Sequence, residues 1–440
     1  MQEINYNKLS VADKEGRVFE LNRTIYRGIY NKESEILDFL NTDLYKALSS
    51  KGYIPLTKMS DLKVDGFTHV LEHETASYVN YPHEWSFEMF KDACILMLKI
   101  ELVCREFGYG IKDGHPFNMV FFNGIPKFVD IGSFVKRDPN NNFFIEEFKQ
   151  RAFLPLLIWS EKHYGLAFLI IRDCSAHHSK HELIDIYRGL ILVKNLGLKT
   201  ISNYLNARKN IFPLFDTQDI NYLKSSIEAI ELNKYKSTWV NYHSSLYKNG
   251  QVISTPRFDK IISVINDLNI TSLCDVACNE GVLSILVNER CKNVKQIVSI
   301  DFDENAIDNF YKIIKKDNKL SNITVLVNNI VAPSHNYFEE LPEVRYKSDC
   351  VVALALTHHI LIGQNYHIDV VFKKFAALTK RYLIIEFMPL GLWGGEGHEK
   401  PLLPDFYNED WFATNLSKEF KIINKLNLEV NRTCFVCEKP

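Results

Sequence analysis

Residues 271–301, TSLCDVACNEGVLSILVNERCKNVKQIVSID, constrain the fold of this chain more than any other stretch. Ser272 to Val276 reads as a buried strand, Ala277 to Gly281 as a tight turn, and the residues from Gly281 onward as a helix. A second buried strand, Gln296 to Ile300, ends on Asp301. A turn of small residues lets backbone approach a ligand at the carboxyl end of the first strand. An acid at the tip of the second strand can accept both hydroxyls of a ribose. The stretch is therefore expected to hold a nucleoside. A dinucleotide would want three glycines to bring its pyrophosphate onto the helix N-terminus. Only Gly281 is present, and Asp275 would repel phosphate while suiting a cation.

These residues resemble the first motif of the class I S-adenosylmethionine-dependent methyltransferases, whose ligand carries a sulfonium and no phosphate. The remainder of the C-terminal half extends the resemblance. Asn305 to Lys319 reads as an amphipathic helix, and Ile323 to Val327, Cys350 to Leu356 and Arg381 to Phe387 as further strands. His367 to Leu378 and Asp410 to Leu416 are helical, and Phe420 to Leu426 and Cys434 to Glu438 close the chain as a strand pair. The fold class expected is α/β: a C-terminal seven-stranded Rossmann-like sheet with an antiparallel hairpin at its end. The resemblance implies that Asp275, Ala277, Asn279 and Gly281 line the methionine end of S-adenosylmethionine. It places Asp301 on the ribose, Phe302 beside the adenine and Asn329 at the adenine amino group. It sets Leu356, Thr357 and His358 where methyl and acceptor meet. A base is needed only for a hydroxyl or protonated amine acceptor; His358, His359 and Glu386 are the candidates.

The 440 residues suggest two domains. The polar, aromatic segment from Asn233 to Arg257 separates them, giving a first domain at 1–235, a linking or cofactor-covering segment at 236–258 and the α/β domain at 259–440. In that segment Trp239, Tyr242 and His243 are placed to cover the cofactor. A formal charge of −2 gives no reason to expect nucleic acid as partner, and no basic stripe is present. No apolar run reaches the roughly 18 residues of a membrane span. Nine scattered cysteines without framework spacing read as reduced thiols of a cytoplasmic protein. Cys434 and Cys437, on one strand, read as core. The Gly/Pro-rich stretch from Pro389 to Pro404, with Trp393 inside it, reads as a lid.

In the first half, Arg17 to Tyr30 suggests two short strands, Lys32 to Ser50 a helix, Phe67 to Glu72 a strand, and Ser86 to Phe107 a long, largely buried helix. Residues 111–134 then give Asp113 and Asn118 five apart in a loop, a hairpin turning at Asn123-Gly124, and Asp130-Ile131-Gly132. Asp113-Gly-His-Pro-Phe-Asn118 resembles the catalytic loop of the aminoglycoside-phosphotransferase branch of kinase-like proteins, and Asp130-Ile-Gly132 its metal motif. The resemblance implies an α+β kinase-like domain with Asp113 as base, Asn118 and Asp130 as magnesium ligands, and ATP as cofactor. A glycine-rich loop and a phosphate-clamping lysine are missing; Arg23 or Arg27, with Glu33 or Glu35, are the substitutes on offer. Ala176 to His181 (AHHSKH) brings histidines to close spacing, but without a cysteine or carboxylate pattern beside them they read as a solvated polar loop and not a zinc site.

The expected activity is methylation, on oxygen, of a small molecule or glycan, with the kinase-like half as scaffold or substrate binder. Two alternatives stand beside it. One is a bifunctional enzyme that phosphorylates and methylates a saccharide end, and the other a binding or regulatory protein built from two vestigial domains. The sequence leaves the oligomeric state open.

Overall fold

The computed structural model describes residues 4–11, 13–161, 164–172, 217–232, 237, 239–248, 250–335 and 339–440. The chain forms two compact units. One comprises Met1–Ala76, Asn80–Tyr235 and Asn336–Glu339, the other Ser77–Val79, Lys236–His335 and Glu340–Pro440. The AHHSKH segment lies outside the described residues.

The first unit opens with β1 (Asn5–Tyr6), β2 (Gly16–Leu21) and β3 (Thr24–Ile29). β2 and β3 are joined by Asn22-Arg23, both at positive φ, the twist that a two-residue hairpin demands. The helical stripe expected over 32–50 divides into α1 (Glu35–Leu40) and α2 (Asp43–Ser50). The break falls where Thr42 turns its hydroxyl to accept from Tyr45 N, an N-cap that starts a new helix. β4 (Thr57–Ser60), not expected from the sequence, and β5 (His69–His73) complete an antiparallel sheet of order β1-β2-β3-β5-β4. The long helix α3 (Phe87–Glu106) buries Phe87, Phe90, Ala93, Met97, Ile100 and Cys104 among others, as its apolar residues on several sides imply. Past it, β6 (Tyr109–Ile111) pairs with β9 (Phe134–Lys136). Between these two lies the expected hairpin, β7 (Met119–Phe122) and β8 (Ile125–Phe128), turned by Asn123-Gly124 at positive φ. Helices α4 (Phe143–Phe148), α5 (Leu154–Ser160), α6 (Tyr164–Arg172) and α7 (Ile220–Glu228) come after it.

In the second unit a short hairpin, β10 (Tyr247–Lys248) and β11 (Gln251–Val252), precedes α8 (Pro256–Asp267), which Thr255 caps. Then come β12 (Ser272–Val276), α9 (Val282–Arg290), β13 (Gln296–Asp301), α10 (Glu304–Lys316) and β14 (Ile323–Val327). They are followed by α11 (Pro342–Arg345), β15 (Ser348–Ala353), α12 (Ile368–Leu378), β16 (Thr379–Phe387), α13 (Glu409–Leu416), β17 (Lys421–Glu429) and β18 (Arg432–Glu438). The sheet has seven strands in the order β14-β13-β12-β15-β16-β18-β17. The five strands from β12 to β16 run parallel, and β18 runs antiparallel to both of its neighbours. This is the expected seven-stranded α/β sheet. Its strand order reverses between β12 and β15, and at such a point loops diverge to opposite faces and leave a crevice beyond the strand tips.

Burial explains the strands' composition. β12 is buried along its whole length because helices cover both faces. One layer packs Phe372 and Phe375 of α12, Phe412 of α13 and Phe435 of β18 against Leu383 and Ile385, and Tyr78 joins it with its hydroxyl 2.9 Å from Ser348 Oγ. Elsewhere α10 turns Ile307, Phe310, Tyr311 and Ile314 inward, and Asp303 caps it by accepting from Asn305 N and Ala306 N. Gly281 stands at φ +82°, and a Cβ there would lie 2.1 Å from the Phe310 ring, so only glycine admits both the turn and the packing. Cys434 and Cys437 are fully buried core residues, as their strand position implies. Among the described residues no helix is long and apolar enough to cross a membrane.

Candidate functional site

Three turns at the carboxyl ends of β12, β13 and β15 build the site. After β12 the chain passes through Ala277 (φ +58°), Asn279 (φ +52°) and Gly281 (φ +82°), alternate left-handed residues that coil the turn tightly. Cys278 N donates to Ile300 O at 3.1 Å and Gly281 N to Cys278 O at 2.9 Å, so the turn is fastened to β13. The Asp301 carboxylate, 7 % exposed, closes the arrangement: Oδ2 accepts from Asn279 N at 2.8 Å and Oδ1 from Asp303 N at 2.9 Å. The structure therefore brings together Ala277, Asn279, Gly281 and Asp301, with Phe302 beside them and 57 % exposed, an open aromatic face next to the acid.

Asp275 faces inward from β12. It accepts from Ser284 Oγ at 2.6 Å, and that hydroxyl also lies 2.8 Å from Ser299 Oγ, so Asp275 braces α9 against the sheet. Burial pushes its carboxyl up to about 7; the Ser284 hydrogen bond opposes this and the nearby Asp301 adds to it. Asp301 is raised to about 6, again by burial, against the N–H donors that favour its charge. Both acids hold protons more tightly folded than unfolded, so their contribution is complete below about pH 4 and is lost as the pH rises through 6 and 7. Asp275→Asn should therefore flatten the decline of stability between pH 5 and pH 8. Denaturant titrations of both proteins at the two pH values will show it, with the variant gaining on the wild type at pH 8.

Asn329 does not present a free acceptor. Its side-chain oxygen already accepts from Val331 N at 3.0 Å and Ala332 N at 3.2 Å, which uses both lone pairs in a turn. The residue expected at an adenine amino group is thus a turn-forming asparagine in this structure.

Beyond β15, Ala355 takes φ +50° and leads into Leu356, Thr357, His358 and a π-turn over His359–Gly363. The His358 and His359 rings lie 4.0 Å apart. Burial lowers His358 to about 3, with His359 and Arg432 beside it adding to the effect, and burial lowers His359 as well. Both are neutral at physiological pH. His358 Nδ1 is buried without a hydrogen-bond partner among the described residues. Glu386, the third candidate base, is an ion-pair partner in this structure. It is fully buried and receives Arg257 Nε at 2.8 Å, Arg257 Nη2 at 2.7 Å, Arg432 Nη1 at 3.1 Å and Ala355 N at 2.8 Å. Four donors engage it, and it holds the turn after β15 in place; Thr357 Oγ1 also donates to its carbonyl at 2.8 Å. Arg257 and Arg432 carry no motif and were not legible as partners of a strand-end acid.

In the first unit Asp113 N donates to Ser133 Oγ at 2.9 Å, and Asn118 Nδ2 points at Asp113 O at 3.5 Å. Asp130 Oδ1 accepts from Gly132 N at 3.1 Å and lies 3.4 Å from Arg27 Nη2, which also reaches Asp13 at 3.3 Å. Arg27 thus pairs with Asp13 and Asp130 in place of Glu33 or Glu35, and a fixed guanidinium stands at the carboxylate expected to ligate magnesium. No group of three or more His, Cys, Asp or Glu side chains among the described residues is arranged to hold a metal ion. Asp130, one of the two expected magnesium ligands, is thus engaged by Arg27 and Gly132 N in this structure.

No known family model matches the chain. It is 25 % identical over 387 residues to the Nodulation protein NoeA of Rhizobium meliloti (strain 1021), covering 81 % of this chain and 79 % of that protein. Among solved structures it is similar to the PH0226 protein from Pyrococcus horikoshii OT3, with TM-score 0.34 and 14 % identity over 47 % of this chain and 100 % of the other. A SAM dependent methyltransferase from Aquifex aeolicus gives TM-score 0.31 and 13 % identity over 42 % of this chain and 100 % of the other.

Proposed function

We propose that the second unit is an S-adenosylmethionine-dependent methyltransferase acting on an oxygen of a small molecule or glycan, and that the first, kinase-like in plan, serves as scaffold or acceptor platform. The observation that carries this reading is the Asp301 carboxylate. It lies one strand away from a turn of left-handed small residues at the switch point of the sheet, where a ribose can be gripped and no pyrophosphate cradle exists. The residues fit the cofactor: Asp301 for the sugar, the exposed Phe302 face for the base, and the turn from Ala277 to Gly281 for the methionine end. When bound, the cofactor supplies an electrophilic methyl group on sulfur.

What the chain adds is position and a proton acceptor. The turn after β15, locked through Glu386, would hold an acceptor hydroxyl beside the cofactor, which would supply the methyl group. Of the two neutral imidazoles, His359 is the better base. It is less deeply buried than His358, and a proton acceptor works best when its pKa stays near the working pH. The paired Arg27 and Asp130 support a first unit without phosphoryl transfer.

Isothermal titration of the full chain tests this. S-adenosylmethionine should bind without added metal, and ATP with magnesium should give no heat. Absence of S-adenosylmethionine binding would overturn the proposal, and magnesium-dependent ATP binding would restore the bifunctional alternative.

A further inference from the structure

Ahead of the sheet, the described residues between 237 and 248 form a strap tied to the nucleoside site at three points. Ser237 Oγ donates to Asp303, Asn279 Nδ2 donates to Trp239 O at 2.7 Å, and the Tyr247 hydroxyl donates to Glu280 O. Every anchor is a residue of the turns after β12 and β13. The strap's aromatic side chains then succeed one another: Trp239 to Tyr242 at 6.0 Å, Tyr242 to His243 at 4.9 Å, and Trp239 to His359 at 4.8 Å. Trp239 is therefore fixed at two ends. Its carbonyl is held on the turn after β12, and its ring stands edge-to-face on His359 in the turn after β15. Those two turns flank the switch point, so the indole bridges the mouth in which a group passing between cofactor and acceptor must lie.

The cations around this mouth are already paired. Arg432 is paired with Glu386 at 3.1 Å and with Glu429 at 2.8 Å, and Arg257 is spent on Glu386. His243, His358 and His359 are neutral, each held down chiefly by burial. An aromatic wall without a free cation to repel it is an environment in which the π face of an indole attracts a weakly hydrated cation. No carboxylate among the strap's described residues offers an alternative partner.

We propose that Trp239 is the residue that reads the positive charge of the cofactor's sulfonium, so that the strap, and not the motif turn, separates the charged methyl donor from its neutral thioether product. The inference rests on the methyltransferase reading of the same site. It gives the strap a function beyond covering: once the methyl group has left, the contact that favoured the donor is gone and the product is held less tightly.

Titration of the full chain with three ligands tests it. S-adenosylmethionine carries a sulfonium, sinefungin carries an ammonium in its place, and S-adenosylhomocysteine is neutral there. In Trp239→Leu the two charged ligands should lose about 5- to 30-fold in affinity, while the neutral one changes less than about twofold. Trp239→Phe, which keeps a smaller π face, should fall between. The Asn279 tether uses the backbone carbonyl and survives both substitutions. Equal loss for all three ligands would reduce Trp239 to a packing residue, and no loss for any would remove it from the site; either result overturns the proposal. If the wild-type chain binds none of the three, the methyltransferase reading itself fails and this inference falls with it.

Discussion

Asp301→Ala is expected to lower the affinity for S-adenosylmethionine by at least about 100-fold while leaving the sheet folded. Two ribose hydroxyls donating to a carboxylate are hydrogen bonds to a charged group, each worth roughly 1.5–3 kcal/mol. Their joint loss corresponds to about two to four powers of ten. The side chain also accepts from Asn279 N and Asp303 N, so its removal frees the turn after β12 as well as the ligand contact. Asp301→Asn keeps one acceptor oxygen but turns an NH2 toward one of those two backbone N–H groups, so its loss should fall between the wild type and alanine. Titration calorimetry on both variants, with thermal melts as the control for folding, separates these effects. An alanine variant that binds like the wild type would show that the ribose does not lie on Asp301.

Glu386→Ala should be the most destabilising single change at this end of the sheet. The carboxylate is fully buried, and its removal strands Arg257, 9 % exposed, and leaves Ala355 N without an acceptor. Removing one partner of a buried ion pair costs roughly 3–5 kcal/mol, because the remaining charge stays desolvated. For a unit of about 200 residues that is on the order of a 10 °C fall in its melting temperature. Arg432 suffers less, since Glu429 still holds it at 2.8 Å. Glu386→Gln keeps an oxygen for Ala355 N and should lie between the wild type and alanine. Scanning calorimetry reads the transition of the second unit directly, and an alanine variant melting within about 1 °C of the wild type would contradict this role. A catalytic base would behave differently, losing turnover without losing stability.

These two acids show how far the sequence could be read. Asp301 was legible because its setting is local: a strand, an acid at its tip, and a small-residue turn some twenty positions earlier whose distance is fixed by the intervening helix. The seven-stranded order was legible for the same reason, since the alternation of strand and helix leaves few ways to close a parallel sheet. Glu386 was equally visible as an acid at a strand end. Its partners come from α8, 129 residues before it, and from β18, 46 residues after it. Nothing in the spacing of those residues marks them as neighbours. Asn329 shows a subtler limit, since the sequence does not reveal that its oxygen accepts from the N–H groups two and three residues on.

In the first unit, motif and geometry part company in a similar way. The loop from Asp113 to Asn118 and the hairpin after it form as their turn residues dictate, with Asn123-Gly124 in the left-handed region. That Arg27 of β3 reaches Asp130 depends on a pairing across 103 residues. The sequence by itself determined what hydrophobic period, turn chemistry and small residues encode over short range: the α/β plan of the second half, the coiled turn from Ala277 to Gly281 and the acid beside it. Only the tertiary structure decided which charges meet. It gave Glu386 to two arginines and Arg27 to Asp130, and it laid Trp239 from the β12 turn to the β15 turn. The physical reason is that a desolvated charge takes whichever counter-charge packing brings within a few ångströms, and chain separation carries almost no information about that.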